Sequence, residues 1–107
     1  MTVVVESKRL KVTNSLRDFA LAQTDKLLKF GDKSVTKISV FLETVGKKKN
    51  DPTANIVTYA LVIPGKKILV VKKKAVDMYE AIVSASHEAF RRLRKIREKR
   101  QDKQRGV

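Results

Sequence analysis

The stretch VTKISVFLET, residues 35–44, alternates, so that in an extended chain Ile38, Val40 and Leu42 share one face while Lys37, Ser39 and Glu43 share the other. A half-buried strand of this kind has one face that must be covered and one that can meet water. The rest of the chain has to supply a one-sided cover.

Two helical patterns can supply it. Leu16, Phe19, Ala20, Gln23, Leu27 and Phe30 recur at helical spacing behind Thr13 or Asn14, either of which can accept from the free amides of a first turn. Gly31 stands where such a helix would stop. A second pattern opens at DMYEAI, where Asp77 and Glu80 have the spacing of a capping box. Tyr79, Ile82, Val83, Ser86, Ala89, Phe90, Leu93 and Ile96 then fall within one arc, and Arg91, Arg92 and Lys95 project from the other side. Beyond Ile96 the stripe fails, because Arg97 and Arg100 would land on it. The helix is expected to fray there or to leave the body as a basic rod. Met78 and Tyr79 are expected to anchor it on the sheet, and Asp77 to cap it.

Three further strands are expected. TVVVES is short and β-branched, predicting a strand over residues 2–6 buried on both faces or nearly so. After the polar loop VGKKKNDPTA, a strand over 55–63 meets the turn signal Pro64-Gly65, and KKILVVKKK returns as its antiparallel partner. The order is β-α-β-β-β-α, an α+β fold with both helices packed on one face of a mixed four-stranded sheet. A chain of 107 residues has room for one core. A single domain over 1–100 and a flexible basic C-terminal tail over 101–107 are expected.

The charge narrows the function. The net charge is +14, and half of it comes from the last seventeen residues. Lysine triplets at 47–49 and 72–74 and the first-helix cations Arg17, Lys26 and Lys29 add to it. Cation clusters of this density bind phosphate backbones, largely by releasing condensed counterions. The preference for arginine on the last helix fits phosphate, which a guanidinium holds bidentately. In that cluster the only aromatic is Phe90, whose spacing places it in the core, so contact with phosphate and ribose is expected rather than base reading.

Other chemistries find little support. No cysteine is present, which excludes disulfides and thiolate chemistry and suits a cytoplasmic chain. His87 is the sole histidine, and its neighbour Glu88 points about 100° away on a helix. The acids are scattered, and no glycine-rich phosphate loop occurs. No enzyme activity, cofactor, metal or small-molecule substrate is expected. The N-terminus does not read as a signal peptide, and no window is apolar enough to span a membrane, so no membrane partner is expected either.

The segments SKRLKVTNSLRDF, DKLLKF and DMYEAI, with the helix running on as RRLRKIREK, resemble the ribosome hibernation-promoting factors and the related ribosome-associated translation inhibitors, in their short form. The resemblance extends over residues 3–99. It implies a fold similar to a double-stranded-RNA-binding domain and binding to the small ribosomal subunit and its rRNA. The place implied is the channel between head and body where messenger and transfer RNA lie, so that translation is silenced by occlusion. It implies a cytoplasmic, stress-linked factor, monomeric off the ribosome. The basic positions it carries over as rRNA-binding are Arg17, Lys26 and Lys29 in the first helix and Arg91 and Lys95 in the last. Arg92 and Arg94 join them, although many relatives have uncharged polar residues there. Glu88 stands where relatives commonly carry lysine, and VVKKKAVDMY is basic where many are acidic. Two other readings use the same residues: a general double-stranded nucleic-acid binder or ribosomal structural protein, and an amphipathic helix for membrane surfaces or calmodulin-type partners.

Overall fold

The computed structural model describes residues 2–8, 13–30, 35–44 and 54–104, except the side chains of 2, 28, 30, 97 and 99–104. The elements are β1 (Thr2–Lys8), α1 (Asn14–Phe30), β2 (Lys37–Thr44), β3 (Asn55–Val62), β4 (Leu69–Ala75) and α2 (Met78–Gln104). The sheet order is β1-β2-β3-β4, with β1 parallel to β2 and the other two pairings antiparallel. The α+β class, the order β-α-β-β-β-α and the mixed sheet are as the sequence predicts.

Register makes the sheet one-sided. Val5 pairs with Val40, Val40 with Tyr59, and Tyr59 with Val71, and the last three are fully buried. Ile38 and Leu42 on β2, with Val57 and Leu61 on β3, belong to the same buried face. Both helices cover that face: Leu16, Ala20 and Leu27 come from α1, and Met78, Ala81, Ile82, Ala85, Ala89 and Leu93 from α2. The β1 strand extends two residues further than expected, and its valines are half-buried rather than enclosed, because it lies at a sheet edge.

Local signals set the element ends. Thr13 is the cap of α1: its Oγ1 accepts from the Leu16 amide at 3.1 Å, and its carbonyl accepts from Arg17. Asp77 Oδ1 accepts from the Tyr79 amide at 3.4 Å at the start of α2. Pro64-Gly65 makes the predicted turn, with Lys66 N donating to Ile63 O at 3.1 Å and Gly65 at φ +77°, a conformation side chains disfavour. Gly31 and the loop lysines at 47–49 lie outside the described residues.

Two details of packing depart from expectation. Thr24, a polar residue in the α1 stripe, is 1% exposed. Its hydroxyl donates to Ala20 O at 2.8 Å, so the 3.2 Å contact with Tyr59 has the phenol as donor. Burial of the phenol raises the Tyr59 pKa. On α2 the seam against the sheet is Ala81, Ala85 and Ala89, all fully buried, which lets the helix axis sit close to the strands. The buried arc is therefore rotated from the predicted one. Met78 anchors the helix, Tyr79 is 39% exposed, and Phe90 is only half-buried.

Candidate nucleic-acid interface

The two helices lie side by side and run the same way. Phe19 meets Tyr79 edge to face, with ring centroids 4.9 Å apart, and further along Gln23, Lys26 and Leu27 face Ser86, His87 and Phe90. α1 ends at Phe30 and α2 continues to Gln104, four residues into the segment expected as a tail. At 1.5 Å per residue, the 27 residues of α2 span about 40 Å. No helix among the described residues is long and apolar enough to cross a membrane.

Arg17, Lys26, Lys29, Arg91, Arg92, Arg94 and Lys95 are exposed, as are Lys72 and Lys74 beside the half-buried Lys73, but they are not equivalent. Lys26 lies on the flank of α1 toward α2. Lys29 pairs with Asp25 one turn back at 3.7 Å, a solvent-screened contact. Arg17 projects near the start of α1, away from the α2 clusters. Arg91, Arg94, Lys95 and Glu98 line a shallow hollow on the outward side of α2, where Arg94 Nε reaches Glu98 Oε1 at 3.3 Å. Of the three cations that the sequence places together on the outward side, Arg91 and Lys95 line this hollow, where Arg94 stands in place of Arg92; Lys26 and Lys29 are on the neighbouring helix.

Arg92 behaves differently. Its Nη1 donates to the backbone carbonyl of Val70 at 2.9 Å and its Nε donates to Glu88 Oε1 at 3.3 Å. The other oxygen of Glu88 accepts from Arg91 Nη2 at 2.6 Å. The Glu88 side chain is 17% exposed. Partial burial works to raise its pKa, but Arg91, the Arg92 hydrogen bond and the nearby Lys73 together outweigh that and hold the carboxyl below its usual range. The sequence offers no local signal for this cluster, because Val70 is 22 residues away from Arg92. Among the described residues, no group of acids and histidine is arranged to hold a metal ion.

A one-sided sheet backed by two parallel helices, with cations on the outward helix surface, makes a basic α+β module. The chain matches the sigma 54 modulation protein / S30EA ribosomal protein family over residues 3–101 and belongs to it. This bears out the resemblance to ribosome hibernation factors and places the protein among ribosome-associated factors that regulate translation. No curated protein matches the chain. The fold is similar to that of a ribosomal subunit interface protein from Coxiella burnetii, with a TM-score of 0.75 at 16% identity, covering 92% of this chain and 99% of that one. It is similar also to the N-terminal domain of Thermus thermophilus Protein Y, with a TM-score of 0.73 at 18% identity, covering 90% and 99%.

Proposed function

We propose that this chain binds the small ribosomal subunit in the channel between head and body, through phosphate and ribose of rRNA, and silences translation by excluding messenger and transfer RNA. The observation that carries the reading is the shared outward surface of two adjacent parallel helices, bearing Lys26, Lys29, Arg91, Arg94 and Lys95 in exposed positions. Arg17, nine residues before Lys26 and so on the opposite side of α1, is a separate contact. Arg92 serves it indirectly, by holding α2 against β4. The protein acts in the cytoplasm as a monomer until it docks, and no bond is made or broken.

The test is co-sedimentation with small subunits, full ribosomes and duplex RNA at matched phosphate concentration, from low to physiological salt, with messenger and initiator transfer RNA as competitors. Retention on the small subunit at physiological salt, with displacement by those competitors, is the expected result. If binding instead tracks total phosphate and collapses as salt rises, the protein is a general polyanion binder.

A further inference from the structure

The furrow between α1 and α2 brings the aromatic side chains Tyr79 and Phe90, which the core does not enclose, beside Lys26 of the cation surface. Tyr79 is 39% exposed, and Phe90 is half-buried and stands outside the buried cluster. Tyr79, Val83, His87, Phe90 and Arg94 follow one another three or four residues apart, so they form one row along the side of α2 that faces the α1 flank. Opposite them, Phe19 supports the Tyr79 ring from its edge. Further on, Gln23 and Lys26 face His87 and Phe90 across a cleft of about 230 Å³. That is below the roughly 300–1,000 Å³ of sites that enclose a whole small molecule, and suits one flat ring entering from outside.

The cation of the furrow stands at its Lys26 end, while Asp77 and Glu80 line the Tyr79 end. Aromatic side chains in a row beside a cation are the chemistry of single-stranded nucleic acid, in which bases stack on rings and the backbone follows the charge. A duplex cannot offer the faces of its bases to such a furrow, because they are stacked on one another. We infer that the furrow takes unpaired nucleotides of RNA, one base against Phe90 and His87 with its phosphate toward Lys26, and another on the exposed Tyr79 ring. The cations of α2 then hold backbone, while the furrow selects strand over duplex. This inference rests on the RNA binding proposed above, but not on the ribosome being the target.

The test uses the full chain and three labelled probes: a short adenosine oligoribonucleotide, an abasic strand with the same number of phosphates, and a duplex of equal charge. The adenosine strand is expected to bind about tenfold or more tighter than the abasic one. Tyrosine emission should fall on binding, and because Tyr59 is fully buried, that change reports Tyr79. Tyr79→Leu and Phe90→Leu retain apolar bulk and remove the stacking face, so they should bring the adenosine strand to the abasic level while abasic binding holds. Equal affinity for the adenosine and abasic strands, or leucine variants that keep the preference, overturns the inference. Loss of ribosome binding with the base preference intact overturns only the functional reading, and ribosome capture without base preference overturns only this one.

Discussion

The guanidinium of Arg92 donates to the main-chain carbonyl of Val70 at 2.9 Å, tying the last helix to the edge strand of the sheet. Edge strands present peptide groups that invite other chains to pair, and a donor laid over the edge removes part of that invitation. Arg92→Met keeps the apolar stem and loses the donors. It should destabilise the fold by about 1 kcal/mol, a charge-assisted hydrogen bond discounted for the side chain's 47% exposure, and leave the salt dependence of RNA binding unchanged. Arg91→Gln or Lys95→Gln should do the reverse, lowering the slope of log affinity against log salt by roughly 1 each at unchanged melting temperature. Thermal denaturation and salt titrations of the same variants check both.

In the proposed interface Glu88 competes with phosphate for Arg91: one of its oxygens accepts from Arg91, while the other accepts from the strut Arg92. Glu88→Gln should therefore tighten RNA binding severalfold and steepen its salt dependence. Because the folded-state pKa is depressed, the stabilisation by the carboxylate is complete above the ordinary value of about 4.3 and is lost as pH falls through the lowered one. The variant should accordingly show a flatter acid limb in its stability profile, read by denaturant unfolding at a series of pH values.

The buried Tyr59 phenol donates to Thr24. Tyr59→Phe should cost about 1 kcal/mol by leaving that hydroxyl without its donor. Since burial raises the folded pKa, the contribution of Tyr59 is intact below the ordinary value of about 10 and is lost as pH rises through the raised one. Alkaline unfolding measured for wild type and Tyr59→Phe should separate by this component.

The alanine seam is a close-packing device. Ala85 is fully exposure-free against the sheet, and Ala85→Leu should destabilise by about 1–3 kcal/mol through overpacking. Calorimetric melting of the variant, with dye binding as a check for loosened packing, measures it.

Much of the architecture was legible because period reports burial. Ile38, Val40 and Leu42 announced a one-sided sheet, and the caps at Thr13 and Asp77 announced both helices. Alanine carries little hydrophobic weight, so of the seam only Ala89 falls in the predicted arc, and Ala81 and Ala85 are hidden among larger residues. The predicted arc was drawn to Tyr79, Val83 and Phe90, on the flank toward α1. Thr24 was passed over as polar, because only its tertiary partner makes it a core residue. The cation set was visible as charge, but the strut role of Arg92 was not, since its acceptor is a main-chain carbonyl on a strand remote in sequence.

The parallel course of the two helices gives the groove between them unlike ends. At one stand Phe19 and Tyr79, and toward the other Lys26, Phe90 and Arg94. RNA is itself a directional polymer, with chemically distinct 5′ and 3′ senses. For the strand binding inferred above, a groove lined in this way would tell a strand from its reversal, since the same bases threaded backwards make a different ligand.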